Sequence, residues 1–176
     1  MVETITSVAG IEIPSTDPMF LAGVGVHVLL GLVCAVTGVI AMLSRKRAGW
    51  HVTYGTIYFR CLAGVALTAT GLAVVRWDED RHLFVLGALS FAAAYLGRRA
   101  KLQRWRSWVR WHITAMGTSY VLLLIAFYVD NGKQLPVWKD LPHFSYWLVP
   151  LLVGVPLILR AVLWHPLARQ ASARDG

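Results

Sequence analysis

Acidic residues are scarce in this chain, and where they are missing is informative. Nine aspartates and glutamates occur in 176 residues, and none falls in the five apolar stretches 19–43, 52–75, 82–97, 111–129 and 143–164. Charged residues make up 15% against 57% hydrophobic, whereas an ordinary soluble domain carries about 25% charged. Helices built from such stretches have no polar face to turn toward water, which excludes a soluble domain. Cysteine is almost absent: Cys34 and Cys61 both lie inside apolar stretches and read as packing residues rather than a disulfide or metal pair. No phosphate-binding loop, zinc-protease helix or nucleophile elbow occurs, so hydrolase and kinase readings have no motif to rest on.

What is present is length of apolar chain. About 20 helical residues cross a hydrocarbon core of about 30 Å. Four of the stretches suffice as they stand. The third, 82–97, is short and is expected to span with Arg81, Arg98 and Arg99 reaching to the interfaces. Tryptophans such as Trp50, Trp77, Trp111 and Trp164 stand at stretch ends, where ring and polar handle suit the headgroup level. The sequence therefore predicts an all-α fold, a polytopic transmembrane bundle of five helices. Residues 1–18 form an arm, 19–165 the membrane domain and 166–176 a tail. The arm carries acids, Pro14 and Pro18 and no basic leader, unlike a cleaved signal peptide. Short loops make sequential helices antiparallel neighbours. Gly23, Gly25, Gly31, Gly64 and Gly71 offer small surfaces for close packing. Pro150 and Pro156 interrupt the fifth helix, and the polar segment 130–142 ends on Pro142, expected in the first turn of that helix.

The net charge of +8 is unevenly placed. Arg45, Lys46 and Arg47 follow the first stretch, and a basic cluster from Arg98 to Arg110 follows the third. The opposite connections hold Asp78, Glu79 and Asp80, or balance acids with lysines. The basic loops belong inside, which places the N-terminus outside and the C-terminus in the cytoplasm of a cell membrane, a bacterial inner membrane by expectation. The basic charge is thus explained by topology and points to lipid, not to nucleic acid.

Six histidines occur, and His51, His82, His112 and His143 recur at intervals of 31, 30 and 31 residues. On this topology His51 and His112 begin helices two and four at the inner side, and His82 and His143 begin helices three and five at the outer side. Two opposed neutral imidazoles can ligate a haem iron. Alternatively His51 and His112, with His27 as a third ligand, could take a transition metal. Histidines at helix ends can also simply mark the interface, and the acids before His82 favour its protonated form, which cannot ligate. His165 reads as a surface residue.

Arg60 lies near the middle of the second helix, where arginine is costly and no acid is available in any span. An anionic cofactor or substrate, a lipid phosphate or a displaced helix boundary each accounts for it. Arg60 with His27 at similar depth would make a polar pocket for a quinone oxygen, a haem propionate or another small anion. Tyr54 and Tyr58 share a face with His51, and Thr114, Thr118, Ser119 and Tyr120 add hydroxyls to helix four, so that a hydrogen-bonded path or ordinary bonds to the preceding turn are both open.

The stretch HVLLGLVCAVTGVIAMLSRKRAGWHVTYGTIYF, with His27, Gly31, a basic turn, then His51, Gly55 and Tyr58, resembles the DUF2306 family of bacterial multi-spanning membrane proteins. WHITAMGTSY, residues 111–120, is similar to that family's next histidine helix. The resemblance covers about residues 25–130 and implies matching positions but no assigned activity. A looser resemblance to cytochrome b561-like haem proteins rests on the order of His51 with His112 and His82 with His143, and implies haem b.

Three functions stay open: a haem- or metal-binding electron-transfer protein, a small transporter or permeation module for anions or protons built around Arg60 and His27, and a structural subunit of a membrane complex with a membrane-protein partner. Whether it is an enzyme is left undecided by these residues.

Overall fold

The structure, a computed structural model, describes residues 6–8, 11–13, 17–46 and 49–164. It contains five helices long and apolar enough to cross a membrane. The protein is a multi-spanning membrane protein with an all-α membrane region. Two compact units divide it, residues 1–84 and 85–176.

The first unit opens with two short strands, β1 (Thr6–Val8) and β2 (Ile11–Ile13), paired antiparallel with Thr6 opposite Ile13 and Val8 opposite Ile11. This hairpin was not expected of the arm. Its strands alternate β-branched residues, and two residues including a glycine separate them, which is hairpin spacing. Helix α1 (Pro18–Leu43) follows. Asp17 caps it by accepting a hydrogen bond from the Met19 amide at 2.9 Å, and Pro18 occupies the first turn, where no amide proton is needed. Helix α2 (Trp50–Val75) returns antiparallel. Gly49 makes the reversal at φ +112°, a region open to glycine and strained for other residues. The α1–α2 contact buries Cys34, Ala41, Tyr58, Leu62, Val65 and Ala73. Gly64 lets the helices close: a Cβ there would meet a Leu30 methyl at 2.9 Å.

Helix α3 (Trp77–Leu102) begins in the first unit and continues into the second. It is 26 residues long, ten more than the stretch 82–97. The physical reason is that Asp78, Glu79 and Asp80 are not loop residues. They occupy the first turn, where the helix dipole favours acids, and Arg76 pairs with Glu79. Arg99 and Lys101 lie in the last turn, where cations are favoured. The charge-free run between Arg81 and Arg98 keeps its 16 residues, about 24 Å of helix, so the expected reach of the flanking arginines to the interfaces stands beside the longer helix.

In the second unit, α4 (Trp108–Asn131) packs on α5 (Ser145–Trp164). Leu86, Val121 and Ile125 form a buried core with Trp147 and Ile158 against it. Ser90 of α3 donates to the Ser119 carbonyl at 2.7 Å. The tight glycines here are Gly97, Gly117 and Gly154, whose added Cβ atoms would strike Ala115 and Met116, Ile158, and Val121. By contrast Gly25, Gly31 and Gly71, expected as packing surfaces, have open space beside them. The segment after α4 is folded into two 3-10 turns, Gly132–Gln134 and Trp138–Asp140. Pro142 stands three residues before α5 rather than in its first turn, its carbonyl accepting from the Ser145 amide at 2.9 Å.

Candidate functional site

Three imidazoles sit in defined hydrogen bonds, and all three use the same nitrogen. His51, in the first turn of α2, reaches back with Nδ1 to the Ala41 carbonyl in the last turn of α1, at 2.8 Å. His112, near the start of α4, reaches back with Nδ1 to the Gly97 carbonyl of α3, at 3.0 Å. A carbonyl only accepts, so Nδ1 carries the proton in both rings and Nε2 holds the lone pair when the ring is neutral. His27 of α1 meets Thr68 Oγ1 of α2 at 2.8 Å. The Thr68 hydroxyl also reaches the Gly64 carbonyl at 2.9 Å, and when its one proton lies there His27 Nδ1 is the donor. Metal-bound histidines are oriented in this way, with the non-ligating N–H held by a backbone carbonyl or another acceptor.

The Ala41 carbonyl also accepts from Lys46 Nζ at 2.9 Å, and Lys46 contacts the Met42 carbonyl as well. Cations at a helix C-terminus satisfy its orphan carbonyls and suit its dipole. Partial desolvation against the helix end holds the Lys46 amine below its ordinary lysine pKa.

His51 and His112 share more than geometry. Each lies in the same tetrapeptide pattern, Trp50-His51-Val52-Thr53 and Trp111-His112-Ile113-Thr114, 61 positions apart. Reading the histidines by their 30-residue spacing passes over this repeat. The Trp-His-(Val/Ile)-Thr string was the signal that could have shown it.

The other candidates are placed differently. His82 is the sixth residue of α3 rather than its start, and it is exposed. His143 lies in the turn before α5, exposed, with its ring edge-on to Tyr146 at 5.2 Å between centroids. His165 lies outside the described residues. Arg60 is the eleventh residue of α2 and exposed. It is eight residues from Thr68, the partner of His27, and so about 12 Å from it along the helix. His27 and Arg60 therefore do not share a level or a pocket. Thr68 is 17 residues beyond His51, roughly 25 Å, so His27 and His51 serve different depths and do not bind one ion together. Among the described residues, no three His, Cys, Asp or Glu side chains gather to hold a metal ion.

The fold and these sites define the class: a multi-spanning helical membrane protein, with five helices of spanning length among the described residues and carbonyl-locked histidines at helix ends. Compared with protein-family models, curated proteins and solved structures, the chain matches none.

Proposed function

We propose that this protein carries electrons in a membrane, and that the Nε2 atom of His51 in the first unit and that of His112 in the second each serve as a ligand nitrogen toward haem b or a transition-metal ion. The observation that carries the reading is the shared Nδ1–H lock, which leaves the same nitrogen of each ring as the Lewis base. When bound, the metal centre supplies a one-electron couple. The chain's own part is to hold each ring in one tautomer and one orientation through the carbonyls of Ala41 and Gly97. The reading includes the topology inferred from charge: basic turns in the cytoplasm, N-terminus outside, in a bacterial inner membrane. It also includes membership of the DUF2306 family, supported by the positions His27, His51, Gly55, Tyr58 and His112.

The test is an absorption spectrum and metal analysis of the full chain, purified in detergent from cells well supplied with haem. A reduced α band with a Soret shift, or a stoichiometric transition metal, is the expected result. His51→Asn and His112→Asn keep a nitrogen donor near the Nδ1 position but offer no ligand at the Nε2 position, and each is expected to lose the signal. A colourless, metal-free wild-type protein would overturn the proposal.

A further inference from the structure

We propose that the exposed face of α2 centred on Arg60 seats a transmembrane helix of another protein, one that carries a carboxylate at matching depth. The inference does not depend on a cofactor.

Depth comes first. Arg60 lies ten residues from the start of α2, so its Cα is about 15 Å from that end of a helix about 38 Å long. With the helix centred on a hydrocarbon core of about 30 Å, that Cα is roughly 11 Å below the nearer boundary. A snorkelling arginine reaches about 6 Å along its helix, which leaves the guanidinium inside hydrocarbon. Among the described residues neither a hydrogen bond nor an ion pair reaches it. An unpaired arginine at this depth is costly.

The face around it has the form of a helix seam. Thr53, Arg60, Leu67 and Val74 recur every seven residues, and Thr56 and Gly71 lie beside them on the same side. Thr53, Arg60, Leu67, Gly71 and Val74 are exposed, and nothing lies within 4 Å of the position a Gly71 Cβ would take. The residues that α2 buries are Tyr58, Leu62, Val65 and Ala73, on the opposite side of the helix. Threonine, glycine and arginine make a poor surface for lipid tails and a good one for a close helix.

The charge selects the occupant. No span of this chain holds an acid beyond the first turn of α3 and the end of α4, so a second copy offers no carboxylate at the level of Arg60. Another protein's aspartate or glutamate does, and it would form a charge-assisted, bidentate pair with the guanidinium.

The experiment reconstitutes the full chain in phosphatidylcholine vesicles with a labelled synthetic leucine–alanine helix of about 24 residues. The helix carries one central Glu or, as control, Gln, and association is read by energy transfer. The Glu helix is expected to associate about tenfold more tightly than the Gln helix. Arg60→Gln is expected to abolish that preference, while Arg160→Gln on α5 leaves it intact. Arg60→Glu is expected to reverse it, favouring a helix with a central Arg. Unchanged helical content by circular dichroism shows that each variant is folded. Equal association of Glu and Gln helices with the wild-type chain overturns the proposal and assigns Arg60 to lipid phosphate. A preference that survives Arg60→Gln overturns it as well.

Discussion

The His112 imidazole donates from Nδ1 to the carbonyl of Gly97 at 3.0 Å, and the glycine is the condition of that approach. A Cβ at Gly97 would stand 3.1 Å from both Ala115 Cβ and Met116 Cγ and 3.2 Å from the Met116 amide nitrogen. The missing side chain brings α4 close enough to α3 for the ring to reach back. Packing and tautomer are therefore one feature: the close contact chooses which nitrogen of His112 keeps its proton.

Gly97→Val separates the two. Overpacking at a tight contact costs about 1–3 kcal/mol, and the displaced α4 carries His112 away from its acceptor. Unfolding in mixed micelles should show the loss of stability. Nitrogen-15 spectra of the histidine side chains should show the Nδ1–H form in the wild-type protein and its loss at one ring in the variant. An unchanged His112 tautomer in a destabilised variant would break the link.

His51 is expected to contribute to stability whatever else it does. His51→Ala removes a donor to the last turn of α1, at a cost of about 1 kcal/mol, while Lys46 still contacts the same carbonyl. His51→Asn, which can restore an N–H near the same place, should recover most of that loss. The pair of variants distinguishes a cap from a ligand, since Asn repairs the first role and not the second. Equal destabilisation by both would show that the Nδ1 bond contributes little.

Glycine substitutions should sort by contact and not by motif. Gly117→Ala and Gly154→Ala drive a methyl into Ile158 and Val121 and should each cost about 1–3 kcal/mol by strain at the α4–α5 crossing. Gly25→Ala and Gly31→Ala meet open space and should be neutral or slightly stabilising through helix propensity. Thermal or denaturant midpoints of the four variants in one detergent decide the matter. A uniform response would sink it.

That contrast shows what the amino-acid string could and could not reveal. Five acid-free stretches were enough for five spans, because burial of a charge in lipid is costly enough to dominate local preferences. Helix ends were harder. Asp78, Glu79 and Asp80 look like a loop until the dipole of the helix they begin is considered. Which glycines matter depends on how each helix is rotated about its axis, and composition carries no such information. The histidines of the candidate site were visible as residues, but their protonation pattern was not, because it depends on the carbonyls of Ala41 and Gly97, which lie 10 and 15 residues away. The offset between His27 and Arg60 was hidden for a similar reason, since it follows from the register of α1 on α2, seen in the His27–Thr68 bond.

The turns between α4 and α5 are held by aromatic contacts, and on the proposed orientation they face the outside of the cell. Trp138 stacks on Tyr128 at 3.9 Å between ring centroids and 20° between planes, and its carbonyl accepts from the Tyr146 hydroxyl at 3.2 Å. Gly132 makes room, since a Cβ there would stand 2.8 Å from the Tyr146 ring. Lys133 and Lys139 flank this arrangement and are exposed, so trypsin can report on it. Trp138→Ala removes a stack worth about 1 kcal/mol beyond its buried area. If cleavage needs the turn to open, its rate follows the open population, and a change of that size raises it several-fold, toward about tenfold when the lost area is included. Trypsin added to intact spheroplasts should therefore cut the Trp138→Ala variant at Lys133 or Lys139 several times faster than the wild-type chain, while the basic turn at Arg45 and Lys46 stays uncut. Faster cutting at Arg45 in intact spheroplasts would reverse the proposed orientation, and equal rates for the two proteins would show that the stack does not hold the turn closed.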